Sequence, residues 1–232
     1  MPTAITVHHG AHVLHGETQE GESWAAAARR IGYGDVVARD LTGEVKVFAR
    51  EEWPWVGLRP MTRGDLPALT AWLAADHVRR WFESDGVSGP EAVAAYYGPA
   101  IDGDDPTRLW VVEVNGRSVG MIQDYLVGDE PDTATTVPVG PDARACDYLL
   151  GEPAWVGRGL GTRMLWVWAQ HVHRRHPETA TLFAAPDHRN ERSLRALARV
   201  GFVAGTWFDE AQADGSTRTL VGCTLDVARV LA

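Results

Sequence analysis

The stretch Cys146-Asp-Tyr-Leu-Leu-Gly-Glu-Pro-Ala-Trp-Val-Gly-Arg-Gly-Leu-Gly-Thr-Arg-Met-Leu165 decides how this chain is read. It starts within an apolar strand, Ala145–Leu150, passes through Gly157, Gly159 and Gly161, and enters a helix that runs to about Arg175. The helix carries Met164, Leu165, Trp168 and Val172 on one face, the spacing of an amphipathic helix laid on a core. Glycines let successive backbone N–H groups crowd around one point, where a helix N-terminus adds positive potential, so the turn has the makings of a phosphate cradle. It is not a nucleotide P-loop, because the Lys-Ser/Thr ending is missing. Nor is it a dinucleotide fingerprint, because the spacing is G-x-G-x-G and no βα unit opens the chain. Taken alone, the segment reads better as a plain tight turn, and its surroundings have to decide.

Downstream, a strand at Thr181–Ala185 precedes a helix over Glu191–Val200 that Gly201 stops. Strands at Phe202–Phe208 and Thr217–Leu225 flank a turn at Asp214-Gly215. Upstream, Leu109–Val114, Asn115-Gly116 and Ser118–Leu126 give the strongest hairpin signal in the chain. Before it come a strand at Val56–Pro60, a helix carrying Leu66, Leu69 and Leu73 with Asp65 as its cap, and a helix from Pro90 through Tyr97. The polar stretch Gly128–Arg144 reads as a connection. The order β-α-α-β-β-β-α-β-α-β-β predicts an α/β fold of the mixed α+β kind, a mixed sheet with helices on both faces.

Residues 1–55 read as a β-rich extension, with strands at Ala4–Val7, Asp35–Ala38 and Glu44–Phe48 and a short helix at Ser23–Ile31. Trp53-Pro54-Trp55 marks the boundary to a domain spanning 56–232. The extension carries no recognisable chemistry. Its His8, His9, His12 and His15 read as surface or strand residues, and His171, His173 and His176, which fall on different faces of a helix, read as surface positions.

With 22 Lys+Arg against 31 Asp+Glu the net charge is -9, which disfavours nucleic acid and anionic membranes as partners and suits a cationic ligand. The charge is segregated. Residues 101–152 hold 11 acids and three arginines, whereas 153–200 hold eight arginines and three acids. Two cysteines, Cys146 and Cys223, make neither a disulfide framework nor a cysteine-rich zinc site, so no metal is expected. No run approaches a membrane span and the first residues lack a signal-peptide pattern, so the expected location is the cytoplasm.

Asn190-Glu-Arg-Ser193 follows Gly161 by 29 residues, and Val200-Gly201-Phe202 closes the helix it opens. The series of strand, R-G-L-G-T, N-x-x-S and G-F resembles the GNAT superfamily of acetyl-CoA-dependent N-acetyltransferases over about residues 56–226. The resemblance implies a mostly antiparallel central sheet, splayed where acetyl-CoA binds as co-substrate. Amides from Val156 to Thr162, with Gly157, Arg158, Gly159 and Gly161, would hold the coenzyme A pyrophosphate. Leu149 and Leu150 on the splayed strand would pair with the pantetheine, and Asn190 would touch the coenzyme from the opposite side.

Within the superfamily, Leu58-Arg-Pro-Met-Thr-Arg-Gly-Asp-Leu66, Trp72-Leu, His77-Val-Arg-Arg-Trp81, Gln123-Asp-Tyr125 and Cys146-Asp-Tyr-Leu-Leu150 look like the aminoglycoside 6′-N-acetyltransferases. That family places two acids fifteen positions apart, as Asp132 and Asp147 stand here. The resemblance implies that Asp147 deprotonates or orients the attacking amine and that Asp132 binds the cationic sugar. Trp81 would wall the substrate site and Asp214 would add an anionic contact.

The residue types suit the chemistry. An ammonium must lose a proton before it attacks a thioester, and a carboxylate can take it, directly or through water. A backbone N–H on the splayed strand is the candidate donor to the oxyanion. Two departures stand out: Leu197 occupies the place where many superfamily members carry a general-acid tyrosine, and Ala185, with Asp187 nearby, replaces a family aspartate. The readings of the activity are acetylation of an aminoglycoside or related amino sugar, acylation of a siderophore or polyamine amine, and binding of acetyl-CoA or antibiotic without catalysis. For the extension, they are a cover for the substrate cleft and a homodimer contact.

Overall fold

The computed structural model describes residues 4–9, 12–22, 26–27, 35–39, 45–48, 56–82, 87–212 and 215–231, without the side chains of 4–16, 35–48 and 131–133. The first four strands, β1 (Ala4–His9), β2 (His12–Glu17), β3 (Asp35–Arg39) and β4 (Val45–Phe48), form a sheet of their own in the order β2-β1-β4-β3. Three of them were expected; β2 was not, because its polar, histidine-bearing sequence lacks clean alternation. Of the expected helix at Ser23–Ile31, only the helical Ala26 and Ala27 lie within the described residues.

The second sheet has seven strands in the order β10-β11-β9-β8-β7-β6-β5. They are β5 (Val56–Pro60), β6 (Arg108–Val114), β7 (Arg117–Leu126), β8 (Arg144–Leu150), β9 (Thr181–Ala184), β10 (Val203–Ala211) and β11 (Thr217–Asp226). Asn115 (φ 49°) and Gly116 (φ 78°) both take the left-handed conformation that a two-residue type I′ hairpin demands between β6 and β7. Every pairing is antiparallel except β8–β9, where only Arg144↔Leu182 and Ala145↔Phe183 are matched. β8 runs on to Leu150, paired with β7 along its whole length. Past Ala145 the sheet therefore opens into a V with β8 as one arm.

The period-2 alternation of β6 sorts its residues into two cores. Trp110, Val112 and Val114 face α5 (Leu160–Arg175) and α6 (Glu191–Val200), whereas Leu109 and Val111 face α1 (Leu66–Ala74), α2 (Asp76–Phe82) and α3 (Pro90–Asp102). The predicted face of α5 is buried, with Met164, Leu165, Trp168 and Val172 at most 1% exposed. Under it lies a polar knot. The buried carboxylate of Asp124 accepts from Trp110 Nε1 (2.6 Å), Arg144 Nη1 (2.9 Å) and Trp168 Nε1 (3.3 Å), fixing β6, β7, β8 and α5 at the root of the V.

Several expectations are corrected. Asp65 does not cap α1 with its side chain; its carboxylate turns back to Arg59 (2.6 and 2.8 Å) and to the Thr62 amide (2.9 Å), closing the turn before the helix. The second predicted helix continues past Tyr97 to Asp102, because burial of Val93 and Tyr97 holds α3 through the lost N–H of Pro99. α2 went unseen as an element: seven residues with one fully buried side chain, Val78, are too short for periodicity. A short helix, α4 (Pro131–Thr136), interrupts the polar connection, and a final turn of helix, α7 (Val227–Val230), follows β11. His171 is not a surface residue but half-buried, its ring against Trp110 at 4.5 Å between centroids. Both cysteines are buried free thiols. Among the described residues no helix is long and apolar enough to cross a membrane.

Candidate active site

A cavity of about 380 Å³ occupies the V. Its walls come from four segments: Tyr148, Leu149 and Leu150 on β8; Val156, Gly157, Gly159, Gly161 and Thr162 in the turn into α5; Asn190, Arg192, Ser193, Arg195 and Arg199 on α6; and His77, Trp81 and Phe82 on α2. Gly157 (φ 79°) and Gly159 (φ 77°) both take left-handed backbone, which turns the chain sharply enough to aim it at the cavity and start α5 there. A side chain at Gly157 would meet nothing within 4 Å, so the cradle is open to a ligand. Of the coenzyme contacts read from the sequence, eight lie in this lining; Arg158 is exposed and stands outside it.

Three arginines add to that set. Arg192, Arg195 and Arg199 recur at i, i+3 and i+7, so one face of α6 presents them all to the cavity. Arg195 is partly engaged by Glu191 at 2.8 Å. The spacing was visible in the sequence, which showed an excess of arginine but did not resolve it into a helix face. Asn190 caps α6, its side-chain oxygen accepting from the Ser193 amide at 3.2 Å. With glycine amides, a helix N-terminus and guanidinium groups around one space, the residues fit a phosphorylated ligand of the coenzyme A kind.

β8 has a second face. Asp147 is absent from the cavity lining and points to the side of α1–α3, where Gln123 Nε2 donates to its Oδ2 at 3.0 Å from the register partner on β7. Tyr125 shares that face, and its hydroxyl is held well above the ordinary tyrosine range, first by the negative charge of Asp147, then by burial, with Glu130 and Glu210 contributing. Asp147, Glu130 and Glu210 therefore project negative potential onto one region beside the cleft. Glu130 and Glu210 were not singled out from the sequence, because they sit 80 positions apart and converge only through the sheet.

Of the other predicted residues, Trp81 lines the cavity with its ring beneath the Arg80 guanidinium at 6.0 Å, and its carbonyl accepts from Arg218 Nη1 at 3.0 Å. His77, one turn before it, makes a hydrogen bond through Nε2 to the Leu150 carbonyl at 2.9 Å, which ties α2 to the free arm of the V. Asp132 lies in α4, where its side chain is not described, and Asp214 lies outside the described residues. Asp187, near the place of the missing family aspartate, is buried, pairs with Arg189 at 2.7 Å and is held below the usual carboxylate range by that guanidinium. Leu197 is fully buried in the core beneath the cavity. Among the described residues no group of three or more His, Cys, Asp or Glu could hold a metal ion.

Residues 62–210 match the family model described as Acetyltransferase (GNAT) domain, and the chain belongs to that family. The aminoglycoside N(6′)-acetyltransferase type 1 of Klebsiella pneumoniae is 27% identical over 148 residues, covering 63% of this chain and 73% of that protein. The crystal structure of aminoglycoside acetyltransferase AAC(6′)-Ib with coenzyme A and kanamycin superposes with a TM-score of 0.62 at 24% identity, covering 74% of this chain and 95% of that one. RimL, a ribosomal L7/L12 alpha-N-protein acetyltransferase solved with coenzyme A, superposes at 0.57 with 13% identity, covering 75% of this chain and 95% of its own. The protein is an acetyl-CoA-dependent N-acetyltransferase of the GNAT fold.

Proposed function

We propose that the protein transfers the acetyl group of acetyl-CoA to a primary amine of an aminoglycoside or a related polycationic amino sugar. The observation that carries the reading is the two-sidedness of β8. Tyr148 and Leu150 face an arginine-rimmed cleft suited to a coenzyme, while Asp147, on the opposite face of the strand, faces an acidic region suited to a polyamine. The Klebsiella relative supports the same substrate class.

In this reading the amides of the glycine turn and Arg192, Arg195 and Arg199 bind the phosphates, and the edge of β8 that diverges from β9 guides the pantetheine toward α2. Asp147 accepts a proton from the substrate ammonium, directly or through water, with Gln123 fixing the orientation of its carboxylate. Glu130 and Glu210, with Asp132 and Asp214, hold the other cationic groups of the sugar and leave the reacting amine to Asp147. That division matters, because every carboxylate close to an amine raises its pKa and opposes deprotonation. A backbone N–H on the free arm of β8 donates to the developing oxyanion. Trp81 and His77 line the cleft from α2.

The test is thiol release from acetyl-CoA against a panel of kanamycin-like and kasugamycin-like aminoglycosides, with the mass of each product. Addition of one acetyl group to a panel member is the expected result. Acetylation of polyamines or N-hydroxylated amines alone would overturn the substrate class, and no thiol release with any amine would overturn the catalytic reading.

A further inference from the structure

We infer that the hydroxyl of Tyr148 is the hydrogen-bond donor to the sulfur of coenzyme A as it leaves. The inference rests on the acetyl-CoA reading of the cleft and concerns a residue to which nothing above gives a role. Tyr148 stands on the arm of β8 that has no partner in β9, one residue from Asp147 and on the opposite face of the strand. Its side chain lines the cavity and reaches α6, where its hydroxyl meets the Ser193 hydroxyl. The Tyr148–Ser193 pair thus spans the two walls of the cleft. Ser193 lies one turn before Leu197 on α6, and Leu197 is a buried hydrocarbon that can donate nothing.

The reaction needs such a donor. The amine nitrogen forms its bond to the acetyl carbon, the carbon–sulfur bond breaks, and the electron pair of that bond goes to sulfur. Thioester and ammonium give amide, coenzyme A thiolate and two protons; both protons leave the nitrogen through Asp147 and solvent, and the thiolate takes one back from solvent after release. At the moment of release the sulfur carries negative charge in a partly desolvated cleft, where an unpaired charge is costly. Burial holds the Tyr148 proton well above the ordinary tyrosine range, whereas a thiol ionises at about 8.5. The phenol therefore donates a hydrogen bond to the thiolate and keeps its proton, and Ser193 Oγ fixes the hydroxyl beforehand, so little reorganisation accompanies bond cleavage. Asp147 and Tyr148 act from opposite faces of one strand, one on the nucleophile and one on the leaving group.

The experiment compares binding of coenzyme A and of desulfo-coenzyme A to the wild-type protein, Tyr148→Phe and Ser193→Ala from about pH 6 to 9. Wild-type affinity for coenzyme A rises with pH as the bound thiol ionises below its free pKa, and affinity for the desulfo analogue stays flat. Tyr148→Phe removes the rise, leaves desulfo affinity unchanged, and lowers kcat about 10- to 100-fold at constant KM for acetyl-CoA, the loss of one hydrogen bond to a charged atom. Ser193→Ala gives a smaller change of the same kind. The inference is overturned if Tyr148→Phe keeps the pH-dependent rise, or if it weakens both analogues equally, which marks a purely structural bridge. If the wild-type protein binds neither analogue, the acetyl-CoA reading itself fails and takes the inference with it.

Discussion

Two aspartates, both half-buried, show how the partner of a carboxylate decides its role. Asp147 receives a hydrogen bond from a neutral amide, Gln123, on the face of β8 that the proposed function gives to the amine. Asp147→Asn should lower kcat by about 10²- to 10⁴-fold, the range for loss of a general base, while coenzyme A affinity is unchanged because the residue is outside the cleft lining. An equal fall in coenzyme affinity, read by calorimetry, would contradict this. Asp65 has the opposite surroundings. The Arg59 guanidinium and the Thr62 amide hold its carboxyl far below the usual range, so it stays ionised and structural. A depressed folded-state pKa contributes stability that is present above the unfolded value of about 3.9 and lost as pH falls below it. Asp65→Asn should therefore cost about 1–2 kcal/mol at neutral pH, discounted for the part-exposed Arg59, with the gap from wild type closing in denaturation measured below that value.

At the scale of elements, the cleft depends on how closely β7 and β8 approach. A Cβ at Gly120 would stand 2.2 Å from the Leu149 carbonyl oxygen, a backbone atom that cannot swing aside. Gly120→Ala should cost about 1–3 kcal/mol and weaken coenzyme binding, since the arm that must move carries Leu149 and Leu150. Gly161→Ala, inside α5 at an ordinary helical φ, adds a methyl that would meet only the Ala196 side chain at 3.8 Å; it should raise rather than lower the melting temperature and serves as the control for stability alone. The same elements mark what could be read in advance. The glycine turn, the apolar face of α5, the Asn115-Gly116 hairpin and the Gly201 stop of α6 are written in residues close together along the chain, so local rules found them. The V was not legible from spacing, because it results from β8 and β9 pairing at two positions and then diverging. It entered the reading only through resemblance. The Gln123–Asp147 contact spans 24 residues and the Tyr148–Ser193 contact 45, so both exist only once the strands and α6 are in register. Asp65 was misread as a helix cap because Arg59, six residues back on β5, offers it a charged partner instead of a backbone N–H.

At the scale of the whole molecule, the proposed function makes the segregated charge a two-sided device. The segment 101–152, with 11 acids, supplies β7, α4 and β8, including Glu130 and Asp147, whereas 153–200, with eight arginines, supplies the glycine turn, α5 and α6. β8 is the partition between them. A dianionic or more highly charged coenzyme and a polycationic amine can then occupy neighbouring sites without either neutralising the protein charge meant for the other. Long-range attraction of this kind is screened over about 8 Å at physiological ionic strength. Added salt should therefore weaken both ligands, each through its own set of side chains. Arg192→Gln combined with Arg199→Gln removes two exposed charges from the lining of the cleft and disrupts no ion pair among the described residues. The double variant should bind coenzyme A more weakly and with a shallower dependence on salt, while the salt dependence of aminoglycoside binding keeps its slope. Calorimetric titration of each ligand at several salt concentrations reads both. If the double variant flattened the salt dependence of the amine as well, the two fields would be one, and β8 would not divide them.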